Sequence, residues 1–423
     1  MRMWRTWLGT LACMASVQWG CTSSDAEAPT SEEPSTETNE PPQDANRPEG
    51  PLEVAPVVVD DGEERQTPPP APAPAPDTFQ PGFHQALRGS HSVSSLTTFR
   101  MRIPVSRAGK RLQVTFRSGD GSLVLQRATV SRVGPDGALV TTPVALTFDG
   151  KPGFTATPRQ LVTSDPVDFA TTFRDELAIS FEVRGALAAS AINAFPGGLV
   201  RAGTHALSTS AMGGDAFERS VGVATVEVEA PASRAFIALG DSITEGYMGL
   251  SNDTRNAWPA LVEAQLGIPV VNSGVSGQGF YDALRLLDDE VLAVKGVTDC
   301  IVLLGTNDLG VTGGEAQMET RMLVLVQRLE PFCHVWVGTL LPKEKTNYGS
   351  YALVKTQRLD FNAWLRAGGT GAEVIDTEAA TRRPDDVHRF LDGYGADGIH
   401  PSAEGHKAIA AEVVRVLREK GVP

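Results

Sequence analysis

Ser242 lies in the run Gly240-Asp241-Ser242-Ile243-Thr244, directly behind the apolar segment Ala235-Phe236-Ile237. A serine hydroxyl is a poor nucleophile until a neighbouring base takes its proton. Of the seven histidines, His400 has the best context for that work, in Asp397-Gly398-Ile399-His400-Pro401. Asp397, three residues upstream, can hold one ring nitrogen and leave the other to face Ser242. The tetrahedral intermediate of acyl transfer also needs donors aimed at its developing oxyanion, and each is typically worth about 2.7–4 kcal/mol. The backbone N–H groups of Ser242 and Gly277 and the side-chain amide of Asn307 are candidates, in Asn272-Ser273-Gly274-Val275-Ser276-Gly277 and Gly305-Thr306-Asn307-Asp308. Each segment also has a bland reading. Asp397 and His400 could form a capping turn, and Asn307 and Asp308 could cap the turn after a strand. Asp241 reads as an organiser of the nucleophile loop. Convergence of nucleophile, base, orienting carboxylate and donors favours chemistry.

The elements that must carry these residues follow from the pattern of residues 233–423. Apolar runs near 235–239, 269–273, 300–304, 334–339 and 372–376 predict strands. Helices are expected at 256–267, 281–295, 314–330, 354–367 and 402–420, the last with Ile409, Val413, Val414 and Leu417 on one face. Alternation of this kind predicts a parallel sheet with helices on both faces. Ligands in such sheets sit at the carboxyl ends of the strands. Ser242, Gly277 and Asn307 each follow such an end.

The four segments resemble the block signature of the SGNH hydrolases, also called the GDSL esterase/lipase family. Gly-Asp-Ser-Ile-Thr is similar to the first block with Ile in the Leu position. The resemblance covers roughly residues 233–423. It implies a flavodoxin-like three-layer α/β/α fold with a five-stranded parallel sheet. It also implies a catalytic triad of Ser242, Asp397 and His400, and an oxyanion hole at Ser242, Gly277 and Asn307. The expected activity is a serine-dependent carboxylic-ester hydrolase working through an acyl-enzyme. Deacetylation of O-acetylated carbohydrate is the favoured specialisation, on the lack of a long apolar lid and on export. Alternatives are a lipase or lysophospholipase, an acyltransferase, and, from another class, a catalytically vestigial cell-surface carbohydrate-binding protein.

Ahead of this region, residues 83–230 alternate with period two between turn signals such as Gly119-Asp120-Gly121 and Pro135-Asp136-Gly137, which predicts an all-β sandwich-like accessory domain. Its Thr163-Ser164-Asp165-Pro166-Val167 run is similar to the N-terminal domain of a subset of bacterial family members. His84, His91 and His205 lack metal-ligand spacing and read as surface or satisfied structural residues. His406 reads as a surface or supporting residue. Residues 22–82, dense in Pro, Glu, Ser and Ala, read as a disordered linker. Residues 1–21 read as a signal peptide, with Cys21 a candidate for lipidation and simple secretion the alternative. The expected location is therefore exported, as an outer-membrane or surface lipoprotein or a secreted protein.

A net charge of -14 argues against nucleic acid or anionic membrane as main partners. The membrane is expected only through a lipid anchor. The partners expected are small-molecule or polysaccharide esters, with the oligomeric state unassigned. No metal site or cofactor is indicated. Cys300 and Cys333 each precede an apolar, β-prone run; neighbouring parallel strands would put them within bridging reach, and two buried thiols are the alternative. Tyr247, Phe280, Tyr281 and Tyr348 are expected to line the substrate site.

Overall fold

A computed structural model describes residues 78–134, 137–249, 252–346 and 349–423, all within one compact unit running from Ala71 to Pro423. The expected signal segment, Cys21 and nearly all of the expected linker lie outside the described residues. The β domain begins earlier than residue 83, because β1 (Thr78–His84) pairs antiparallel with the domain's last strand.

That domain comprises β1, β2 (Gly89–Val105), β3 (Gly109–Arg132), β4 (Val144–Leu146), β5 (Phe154–Ala156), β6 (Leu161–Thr163), β7 (Val167–Thr171), β8 (Asp175–Ala189), β9 (Gly198–Ala202), β10 (Asp215–Phe217) and β11 (Val223–Ala230). The strand order is β1-β11-β3-β8-β2-β9-β10. The first half of β3 pairs with β11, β6 and β7, and its second half with β8, β4 and β5. One long strand thus passes from one layer to the other, around a core that includes Phe99, Phe116 and Phe181. Gly119-Asp120-Gly121, expected as a turn, lies instead inside β3, where the pairing with β8 shifts between Ser118 and Leu123. The signal marked a bend in one strand rather than a link between two.

The second domain is a five-stranded parallel sheet with the order β13-β12-β14-β15-β16, formed by β12 (Phe236–Gly240), β13 (Val270–Gly274), β14 (Asp299–Leu303), β15 (His334–Gly338) and β16 (Glu373–Ile375). Its helices are α1 (Ser242–Glu245), α2 (Trp258–Leu266), α3 (Phe280–Leu287), α4 (Gly314–Leu329), α5 (Tyr351–Arg366), α6 (Thr377–Thr381) and α7 (Ala403–Glu419). Two separate apolar clusters cover the two faces of the sheet. One gathers α3, α4 and α5; the other gathers α2 and α7. This is the three-layer α/β/α arrangement. Strand order reverses beside β12, and the register there is level: Gly240 stands opposite Gly274 on one side and Leu303 on the other. Cys300 and Cys333 are joined in a disulfide, with Cα atoms 5.8 Å apart, tying β14 to the entry of β15.

The expected helix over 281–295 is not uniform. After Leu287 the chain widens into a π-helical turn, Asp288–Leu292, a feature that re-aims side chains. Here Glu290 meets the β domain. Its carboxylate pairs with Arg117 and accepts the N–H of Leu87, while its carbonyl lies 3.0 Å from Nε2 of His84. His84 is buried, with Nδ1 3.1 Å from the Thr225 hydroxyl, and burial pulls its pKa down to about 4. It is a satisfied structural histidine between the domains. A second junction joins Arg255 to Glu176 and Arg174 to Glu263.

Both side chains of the Arg117–Glu290 pair are under one-tenth exposed. Breaking such a pair leaves a buried charge with poor compensation, at a cost of about 3–5 kcal/mol. Glu290→Ala should therefore lower the unfolding free energy measured by urea denaturation by an amount in that range, less whatever Asp289 recovers as the second partner of Arg117. A change within about 0.5 kcal/mol, typical of surface sites, would contradict the account.

Candidate active site

Asp241 caps α1 by accepting the N–H of Ile243 at 2.9 Å, which turns the chain sharply after β12 and sets Ser242 at the head of that short helix. At the other end of the sequence, Asp397 folds its own loop. Its Oδ1 accepts the N–H of Ile399 at 3.0 Å and of His400 at 2.8 Å. This side-chain turn brings the imidazole back over the carboxylate. Nδ1 of His400 lies 3.0 Å from Oδ2 of Asp397, and Nε2 lies 2.9 Å from Oγ of Ser242. Three residues placed together by sequence reasoning thus form a continuous relay.

The electrostatics suit a base. Burial pulls His400 below its ordinary pKa, Asp397 partly restores it, and Lys343 and Lys345 lower it further. Burial alone would raise the Asp397 carboxyl. The N–H and ring of His400 and the N–H of Ile399 outweigh that and hold it below its usual range. The imidazole is therefore neutral and oriented near neutral pH, with an ionised partner ready for the imidazolium.

Level strand ends place the remaining loops beside Ser242. Gly274 leaves β13 so close to α1 that a side chain there would meet the backbone N of Glu245 at 2.2 Å. The loop continues to Gly277, whose φ of 78° favours glycine. It is held by Val275 N–H on the Gly240 carbonyl at 3.0 Å and by Gln278 Nε2 on the same carbonyl at 2.6 Å. Asn307, in the turn after β14, donates from Nδ2 to the Gln278 carbonyl at 3.0 Å, so it is tied to the loop that carries Gly277. Asp308 accepts the N–H of Phe280 at 3.1 Å and serves as a cap for α3.

Two buried residues that the sequence reading did not single out complete the floor. Lys343 is 4% exposed and donates to the carbonyl of Thr306 at 2.7 Å, next to Asn307. Burial pushes the Asp241 carboxyl up to about 7 and Asp308 up to about 6, and the Lys343 ammonium opposes both shifts. Glu245, at the end of α1, is also buried. No motif reveals either one, because a lysine or glutamate usually faces water.

Among the expected lining residues, Tyr247 packs its ring on that of His400, with centroids 4.1 Å apart. Phe280 does not line a site: it is fully buried in the core and packs edge-on against Phe361. Its position at the first turn of α3 puts it under the loop rather than on it. Tyr281 is 66% exposed beside it, and Tyr348 lies outside the described residues. His406 is fully buried, so the surface reading is corrected. Its Nδ1 accepts the N–H of Trp258 at 3.1 Å, and Nε2 lies 3.4 Å from the carbonyl of Tyr247. Among the described residues no group of three or more His, Cys, Asp or Glu side chains could hold a metal ion, and no helix is long and apolar enough to cross a membrane.

The second domain is thus a three-layer α/β/α unit with Ser242, His400 and Asp397 gathered at the carboxyl end of β12. Residues 238–408 match the GDSL-like lipase/acylhydrolase family. This match places the second domain among the SGNH hydrolases. Similar solved structures include a lipase/acylhydrolase from Enterococcus faecalis at 22% identity, covering 44% of this chain and 97% of its own, with a TM-score of 0.37. An acetylxylan esterase from Geobacillus stearothermophilus is 21% identical, with coverage of 45% and 96% and a TM-score of 0.35. A carbohydrate acetylesterase from Sinorhizobium meliloti is 18% identical, with coverage of 44% and 100% and a TM-score of 0.38. No curated protein matches the chain.

If His400 is the base, kcat/KM for an ester should fall on the acid side with a single-proton midpoint below 6.5, the ordinary value for histidine. The sign follows from burial: protonation, which removes the base, is disfavoured until the pH drops below the usual range. A profile whose acid limb has its midpoint above 7 would contradict this environment.

Proposed function

We propose that the protein is a serine-dependent carboxylic-ester hydrolase acting through an acyl-enzyme on Ser242. The observation that carries this reading is the unbroken relay from Ser242 Oγ through His400 to Asp397, with contacts of 2.9 and 3.0 Å. Ser242 Oγ attacks the acyl carbonyl carbon while its proton passes to Nε2 of His400. Asp397 stabilises the imidazolium. The oxyanion is met by the N–H groups of Ser242 and Gly277 and by the Asn307 amide. Collapse expels the alcohol, which takes the proton from Nε2. Water then gives a proton to Nε2 and attacks the acyl carbon, the acid departs, and Ser242 recovers its proton.

Short acyl esters of carbohydrates are the proposed substrates. The surroundings of His400 support a hydroxylated alcohol rather than a lipid. The loop after β15 passes beside the His400 turn, where the Glu344 N–H donates to the Gly398 carbonyl at 2.7 Å, Lys345 is exposed, and the Tyr247 ring lies against the histidine. An exposed lysine and a tyrosine ring beside the base suit a polar, hydroxylated alcohol better than a long acyl chain.

Ser242→Ala should lose turnover of p-nitrophenyl acetate by on the order of 10⁴-fold or more while keeping its melting temperature. The parent should release acetate from acetylated xylan faster than it cleaves long-chain p-nitrophenyl esters. Undiminished hydrolysis by Ser242→Ala would remove the mechanism. A parent that prefers long-chain esters would remove the substrate class and leave the mechanism standing.

A further inference from the structure

Glu245 is 1% exposed and sits three residues after the nucleophile. One carboxylate oxygen accepts the N–H groups of Ala191 and Ile192, at 2.9 and 3.1 Å, from the β-domain segment after β8. The other accepts the N–H of Ser276 at 2.6 Å, one residue before Gly277. A buried carboxylate with three backbone donors forms charge-assisted bonds, which are stronger than neutral ones. Burial raises the pKa of Glu245, and the N–H groups of Ser276, Ile192 and Ala191 oppose that rise.

Both ends of this link are anchored. On the β-domain side, Ser190 donates its N–H to Ser220 at 2.8 Å, and Arg219 Nε holds the Ser190 carbonyl at 2.8 Å. Ala194 accepts the N–H of Thr254 at 2.7 Å, and the Thr254 hydroxyl donates to the Glu245 carbonyl at 2.6 Å. The same β-domain turn therefore grips Glu245 by its side chain and, through Thr254, by its main chain. On the other side, Val275 and Gln278 are held against Gly240, and Ser276 between them is held through Glu245. No atom outside the adjoining residues lies within 4 Å of the position a Gly277 Cβ would take, so packing on that face does not fix the loop.

We propose that the β domain is a structural part of the oxyanion site, and that Glu245 is the positioning residue through which the Ala191–Ile192 turn sets the Ser276–Gly277 peptide. The inference rests on the assignment of Ser242 as nucleophile and Gly277 as oxyanion donor. A donor that stabilises charge only in the transition state acts on kcat more than on KM. Misplacing a reacting or stabilising group by about 1 Å can cost roughly 100-fold.

Glu245→Gln keeps the size of the side chain but turns one acceptor into an NH₂ that faces a backbone N–H. Its kcat for p-nitrophenyl acetate should fall roughly 10–100-fold with KM within about twofold of the parent. The inhibition constant of an alkyl boronic acid, whose adduct on Ser242 places an oxygen at the oxyanion position, should rise by the same factor. If Glu245→Gln does not fold, as judged by circular dichroism, Glu245→Asp keeps the charge and loses the reach, and the same split is expected. Unchanged kcat and boronate affinity would overturn the inference, and so would a lower melting temperature with kcat intact. Failure of the underlying assignment shows differently, because the parent itself would then turn over no ester and bind no boronate.

Discussion

The level ending of three parallel strands is the constraint on which this molecule depends. Gly240 stands opposite Gly274 and Leu303, so the loops bearing Ser242, Gly277 and Asn307 leave the sheet side by side. A shift of one residue in either pairing would move a loop by roughly 3.3 Å along the strand. That is more than hydrogen-bond geometry at a transition state tolerates. Small residues at both glycine positions let α1 lie directly over the end of β13. The apolar clusters on the two faces hold the register, and the disulfide adds a covalent tie at the far end of the same sheet.

On that frame the site gathers an unusual amount of buried charge. Asp241, Glu245 and Lys343 are all buried at the loops that carry Ser242, Gly277 and Asn307, with Asp308 beside them. Each would be costly alone, and each is met by backbone N–H or C=O groups. Such partners have no freedom to rearrange, which suits a site whose donors must already be in place when charge develops. The β domain takes part in this arrangement. Its contacts run through Glu290, Glu245 and Thr254, which ties the accessory domain to the loops beside Ser242.

Much of this was legible in the residues. Ser242, Asp397 and His400 announce themselves because a Gly-Asp-Ser turn and an Asp-Gly-Ile-His turn fold locally, through an N-cap and an Asx turn that the side chains themselves build. The parallel sheet was legible because its strands are short apolar runs between helices. What escaped depends on distant partners. Glu245 and Lys343 carry no local signal, since their burial follows from a second domain and from a loop after β15. Phe280 read as a lining residue by its place near Gly277, whereas the cap from Asp308 turns it into the core. Gly119-Asp120-Gly121 read as a hairpin turn because composition does not distinguish a bend within a strand from a link between strands.

The proposed chemistry requires Ser242 to be the activated nucleophile. Peptide mapping of the parent after exposure to a fluorophosphonate measures that directly. The predicted result is a single modified residue, Ser242, with labelling strongly slowed in His400→Ala. An adduct on another residue, or a folded parent that never labels, would contradict it.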